Sequence, residues 1–152
     1  MTEPSLAEWI LAQTTDALIY SDSAGVIQRW NEAAARMFGF SADEALGANL
    51  DLIIPEHLRA AHWAGFDKAM ASGSTRLAGR PSLTRAAHKN GNKLYVEMTF
   101  ALVKDDAGQV VGSVAIARDV TERVEKERAA RASGTTGTTG TSGKSGKSGT
   151  CG

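Results

Sequence analysis

The sequence predicts an α+β domain in which helices, one of them long, cover one face of a five-stranded antiparallel sheet. Three observations carry that expectation. Two short strand-like runs, residues 17–22 and 26–30, flank Ser23-Ala24-Gly25 and read as a hairpin. Several short capped helical segments then lead into one long helix that stops at Gly73. Beyond it the pattern is strand-like as far as Arg118, punctuated by turn signals at Asn90-Gly91 and at Asp105, Asp106 and Gly108. A single sheet with helices collected on one side is the simplest packing for that order.

Each element has a local reason. Residues 5–14 bring Leu6, Trp9, Ile10 and Gln13 to helical spacing, which gives a short amphipathic leading helix. Asn31 is a good N-cap for Glu32–Phe38, because its side-chain oxygen accepts from the free N–H groups of the first turn. Ser41 with Glu44 forms a capping box for a second short helix, which Gly47 ends. Asn49–Ile53 gives one more turn. Pro55 sits at a natural first helical position, and EHLRAAHWAGFDKAMAS after it is the longest helix of the domain. Residues 75–87 are ambiguous, with Pro81 demoting part of them to an edge or irregular strand. Leu94, Val96, Met98, Phe100 and Leu102 alternate with Tyr95, Glu97, Thr99 and Ala101, so each set lines one face of a strand. Val110–Arg118 is the last strand, and Asp119 caps a strongly charged terminal helix.

The chain divides unevenly. Of its 152 residues, the last 20 hold seven of the 16 glycines, six threonines, four serines, two lysines and the single cysteine. A segment so poor in apolar side chains cannot offset its ordering entropy, so residues 133–152 are expected to be a disordered linker, engineered or naturally low in complexity. Its Gly-Lys-Ser repeats are not a phosphate-binding loop, because no strand precedes them and no helix follows. Residues 1–132 form the domain proper, with its leading and terminal connector helices.

Composition excludes several classes. Seventeen basic residues balance seventeen acidic ones, and without the two tail lysines the domain is slightly acidic, which argues against nucleic-acid binding. No apolar run reaches 18 residues and no signal peptide is visible, so a cytoplasmic protein without a membrane span is expected. Cys151 lies in the tail, which leaves the domain no internal disulfide, cysteine zinc site or cysteine nucleophile. No Ser-His-Asp or paired-carboxylate arrangement stands out; Asp105 and Asp106 are turn residues. The domain is not expected to be an enzyme.

The residue with the most chemical content is His62. On a helix it shares one face with Leu58 and Phe66, and that face should look inward. Two readings stand. One is a core histidine bonded to a backbone carbonyl, or a half-exposed one near the helix edge. The other is an axial haem ligand, since neutral imidazole binds iron and a flat macrocycle needs an apolar slot.

Several motifs occur together and in order: D-x-x-G at Asp22 to Gly25, W-N-x-A-A and F-G-F-S between Trp30 and Ser41, and E-x-x-G at Glu44 to Gly47. I-P-E-H-L-R at Ile54 to Arg59, K-N-G-N at Lys89 to Asn92 and R-D-V-T-E-R at Arg118 to Arg123 complete the set. Through them the sequence resembles the PAS sensor family over roughly residues 8–123. In that family the closing helix usually leads through a coiled coil into an output domain, such as a histidine kinase or a diguanylate cyclase or phosphodiesterase. The resemblance therefore implies an input module whose output domain is absent from this chain. A parallel homodimer through the leading and terminal helices is consistent with it.

P-E-H-L-R-A-A-H, ending at His62, resembles the proximal segment of oxygen-sensing haem PAS domains of bacterial histidine kinases and haem phosphodiesterases. The resemblance implies haem b held by His62, with oxygen or carbon monoxide as the diatomic ligand. It places Arg80 where the phosphodiesterase type has a distal methionine, and Ser82 where it has an oxygen-bonding arginine. Arginine is a poor iron ligand but a good donor, so Arg80 is the donor to bound gas, a propionate clamp, or simply a solvated side chain beside Pro81. Val96, Met98 and Phe100 match the apolar distal wall, with Leu77 and Leu83 adding to it. Met98 either ligates weakly or fills space. Arg76 falls where a propionate contact is made, and Lys68 is a basic neighbour. Trp63 is expected against the sheet or a partner helix, and His57 and His88 near the surface. Covalent flavin chemistry lacks its cysteine on the helix around residues 52–60, and a coumaryl chromophore lacks one in the core. Non-covalent flavin, with Trp30 and Asn31 at the pocket edge, and a haem-free interaction or small-molecule module remain the alternatives.

Overall fold

The computed structural model describes residues 3–133, and the expected tail lies outside them apart from Ser133. The chain runs α1 (Leu6–Gln13), β1 (Ala17–Asp22), β2 (Ile27–Trp30), α2 (Glu32–Phe38) and α3 (Ala42–Ala45). Two 3-10 turns, Leu50–Ile53 and Glu56–Leu58, precede α4 (Arg59–Ser72), followed by β3 (Ser82–Ala87), β4 (Lys93–Lys104), β5 (Val110–Asp119) and α5 (Thr121–Ser133). The strands form one antiparallel sheet of five in the order β2-β1-β5-β4-β3. Among the described residues no helix is long and apolar enough to cross a membrane.

The caps act as the sequence reading expects. Asn31 Oδ1 accepts from Ala34 N at 2.9 Å and also from Leu18 N at 2.9 Å, while its amide donates to Asp16 O at 3.1 Å. One buried side chain thus starts α2 and ties it to β1. Ser41 and Glu44 make both bonds of a capping box, and Lys89 pairs with Glu44 from across the fold. The long helix departs from expectation at its start. Pro55 holds an extended ψ of 141°, the next three residues tighten into a 3-10 turn, and the α-helix begins only at Arg59.

Alternation on the strands separates the two faces of the sheet. Ala17 and Ile19 of β1, Leu94 and Val96 of β4, Ala86 of β3 and Ala117 of β5 pack with Ile27, Trp30, Phe38 and Phe66 in one core. Phe38, wholly buried, contributes about 2–3 kcal/mol by removal from water. The opposite face carries a smaller cluster. Tyr95 there packs with Val120 and Val124, and the Arg128 guanidinium lies 5.0 Å from its ring centre. So α5 leaves the domain against the face that α2, α3 and α4 do not cover. Its docking rests on Val124, the helix's buried residue, and it runs one residue into the segment assigned to the linker.

Candidate functional site

A cavity of about 90 Å³ separates α4 from the sheet. Its helical wall is Leu58, His62 and Phe66, joined by Leu50, Ile53 and Ile54 from the preceding turns and by Leu77 from the segment after α4. Its floor is the inward row of the strands, Ile19, Ser21, Ser82, Thr84, Ala86, Met98, Phe100, Ser113 and Ala115, and Arg85 of β3 also borders it. The lining is mostly apolar, with hydroxyls confined to the sheet.

The start of α4 is clamped by Asp51. Its Oδ1 accepts from Trp63 Nε1 at 2.7 Å, and its carbonyl takes a bond from Arg59, whose Nε also donates to Ile54 O at 3.0 Å. Arg59 and Trp63 are four apart and share a face, which fixes the helix rotation and turns Leu58, His62 and Phe66 toward the cavity. Trp63 also lies on the β1–β2 turn. Gly25 there has φ +85°, and a Cβ on it would overlap the Trp63 ring. The glycine is thus needed both for its left-handed backbone and for the approach of the indole.

His62 packs edge-on to Trp63, with ring centres 4.8 Å apart, and 5.9 Å from the Phe66 ring. Its Nδ1 is buried and has no hydrogen-bond partner among the described residues. Burial pushes its pKa below the ordinary histidine value, and the Asp51 and Asp67 carboxylates pull the other way without cancelling that effect. The imidazole is therefore neutral at neutral pH, the form that ligates a metal. The backbone-bonded core histidine of the first reading does not describe Nδ1.

The remaining sequence-derived site residues separate. Leu58, Phe66, Leu77, Met98 and Phe100 line the cavity with His62. Val96 shares the inward face of β4 with Met98 but is sealed in the core and does not line the cavity. Leu83 is a correction: it is 52% exposed, because on β3 it is Ser82, Thr84 and Ala86 that point inward. Arg80 is exposed, and its Nε donates to Leu77 O at 3.0 Å within its own turn rather than reaching the cavity. Arg76, Lys68 and His57 are exposed too. His88 is half-buried, with its ring against Gly39 and its Nδ1 accepting from Asn90 N. Trp30 and Asn31 are not at the pocket edge. The indole donates to Phe40 O at 2.9 Å and lies 5.6 Å from the Phe38 ring, and the amide is consumed by backbone.

The sequence reading missed Ser21 and Ser113, whose hydroxyl oxygens are 3.1 Å apart although the residues are 92 apart in the chain. Register pairs them directly, as it pairs Ile19 with Ala115. The signal available was the alternation of β1 and β5, which puts Ser21 in phase with Ile19 and Ser113 in phase with Ala115 and Ala117.

Comparison with known proteins gives a consistent frame. A family described as the PAS fold matches residues 11–125. Among curated relatives, the oxygen sensor protein DosP of Escherichia coli (strain K12) is 32% identical over 100 residues, 65% of this chain and 12% of that protein. The sensor protein FixL of Bradyrhizobium diazoefficiens is 25% identical over 118 residues, 78% of this chain and 23% of that protein. The chain thus spans less than a quarter of either relative. Among solved structures, a PAS domain from Colwellia psychrerythraea aligns with a TM-score of 0.68 at 21% identity, covering 77% of this chain and 96% of that one. An RNA-binding light-oxygen-voltage receptor aligns with a TM-score of 0.65 at 25% identity, covering 82% and 35%.

Proposed function

This chain belongs to the PAS fold family, and from that premise we propose that it is a sensor module that holds haem b through His62. In this reading it takes oxygen or carbon monoxide on the open face of the group and relays occupancy through α5 to an output domain. The observation that carries it is His62 itself: a neutral imidazole in the wall of an apolar cavity, with a buried nitrogen that no group among the described residues satisfies. The sequence around it resembles the proximal segment of oxygen-sensing haem PAS domains, and one relative is named as an oxygen sensor. When bound, haem supplies the iron that takes the gas. Leu58, Phe66, Leu77, Met98 and Phe100 give the apolar walls that exclude water from it.

The cavity is smaller than the group. Sites for ligands of that size hold about 300 Å³ or more, against the 90 Å³ between α4 and the sheet. The strands are tied by hydrogen-bonded ladders, so seating the group would require α4 and residues 74–81 to move away from the sheet. The same size favours a second reading, a haem-free module for a small molecule or for protein interaction. In both readings the chain is an input module of a cytoplasmic homodimer rather than an enzyme. The partner would meet the exposed Leu6, Trp9 and Ile10 of α1.

Adding haem to the purified protein and recording the absorption spectrum decides between them. The haem reading expects a Soret band that is lost or markedly shifted in H62A. A chain that gives no such band leaves the haem-free reading, and a spectrum unchanged in H62A removes His62 as the ligand.

A further inference from the structure

The cavity as it stands has the size of a much smaller guest than haem. An apolar cavity of about 150 Å³ takes up benzene. By proportion, the 90 Å³ between α4 and the sheet has room for about four heavy atoms. Its mostly apolar walls favour a guest whose carbon leaves water on entry.

The polar content of the walls is narrow. Ser21 and Ser113 satisfy each other across 3.1 Å. Arg85 borders the cavity, but register sets it beside Tyr95, and its guanidinium carbon lies 6.0 Å from that ring's centre, on the face that carries α5. Among the described residues no acidic or lysine side chain lines the space. A charged guest would therefore enter without a counter-charge, at a desolvation cost that a neutral one does not bear.

His62 is the exception in this wall. Its ring packs against Trp63 and Phe66, with centres 4.8 and 5.9 Å away, and its buried Nδ1 has no partner among the described residues. Leaving such an atom unpaired is unfavourable, and the cavity that His62 lines is the space in which a partner can stand. A lone water there needs two or more polar partners, which is more than one imidazole nitrogen supplies. A hydroxyl on a short carbon chain needs only one, and its carbons fill the apolar remainder. Because a hydroxyl both gives and accepts, it suits either imidazole tautomer.

We propose that the cavity binds a neutral alcohol of about four heavy atoms, with its hydroxyl bonded to His62 Nδ1 and its carbons against Leu58, Phe66, Met98 and Phe100. This inference rests on the haem-free reading and names the ligand class for it.

The test titrates 1-propanol into haem-free, isotope-labelled protein and follows the amides around the cavity and the His62 ring nitrogens by NMR. Propionate is the charged control. Xenon, which needs no hydrogen bond, reports whether the cavity admits a guest at all. Parent protein is compared with H62F, which keeps a ring but has no nitrogen, and with A115L, which fills the space from β5; thermal melts confirm that both fold. The expected result is saturable binding of 1-propanol with a Kd in the millimolar range, the strength open to so few atoms, with a shift at Nδ1 and no binding of propionate. H62F should still take up xenon but bind 1-propanol roughly tenfold more weakly, and A115L should bind neither. Equal propanol affinity in parent and H62F overturns the role of His62. Xenon uptake without saturable propanol binding, in a protein that gives no Soret band with haem, overturns the inference and leaves the haem-free reading standing. A Soret band that H62A loses overturns that reading itself.

Discussion

Replacing His62 by phenylalanine should stabilise the haem-free protein while removing its capacity to hold haem. The ring and its contacts with Trp63 and Phe66 are kept, whereas the buried Nδ1 without a partner is removed. An unsatisfied buried polar group costs about 1–3 kcal/mol, and phenylalanine is slightly bulkier than histidine, so a net gain of about 1–2 kcal/mol is expected. For a domain of this size that raises the melting temperature by roughly 3–6 °C. The gain should grow in acid. The folded-state pKa of His62 lies below its ordinary value of 6.5 because of burial. As pH falls below that value the unfolded chain therefore takes up its proton first. The parent loses stability as pH falls from above 6.5 through the folded-state value, and H62F has no such loss from this position. Glu44 does not confuse the comparison. The Lys89 hydrogen bond, with the Ser41 backbone, holds its pKa below the usual 4.5, so its contribution is lost only in stronger acid. Thermal melts by circular dichroism on haem-free protein, at about pH 8 and about pH 5.5 on either side of the histidine transition, measure both effects. An H62F protein that melts below the parent at both values, or an advantage that does not widen in acid, refutes the account of Nδ1.

Two further substitutions test how the site is positioned. Gly25→Ala should cost about 3 kcal/mol or more in urea denaturation, because a left-handed backbone penalty adds to a displaced Trp63. Gly108, with φ +84° and open space within 4 Å of where a Cβ would stand, is the control; its alanine variant should lose only about 1–2 kcal/mol. Equal losses would show that the Trp63 contact adds nothing to the backbone penalty. Asn31→Ala should cost about 2–4 kcal/mol, since it strips the cap from α2 and leaves the buried Leu18 N–H unpaired. Asn31→Asp keeps the accepting oxygen and should recover part of that loss, and no recovery would show that the amide bond to Asp16 O carries the effect.

Much of this fold was legible because its signals are local. Asn31, the Ser41–Glu44 box, Gly73 and Asn90-Gly91 mark element ends through bonds made within a few residues, and the structure places ends where they point. The helical face of Leu58, His62 and Phe66 follows from spacing alone. Errors arose where phase or exposure depends on distant partners. After Pro81 the alternation of β3 has two possible phases, and the choice of Leu83 as inward was one residue out. Only pairing of Ser82 with Met98 and Thr84 with Val96 fixes it. Arg80 has a side chain long enough to reach inward or outward, and its own turn offers the nearer acceptor.

The sequence by itself determined the order and type of elements, the family resemblance and the inward histidine, because caps, turns and periodicity act over one or two turns of chain. Only the tertiary structure decided what shares the cavity with that histidine. Two serines 92 residues apart meet because β1 and β5 pair in one register, and a shift of one residue would have put them on opposite faces of the sheet. The volume left above them is likewise a property of packing, set by how Asp51 and Gly25 seat Trp63 and hence α4.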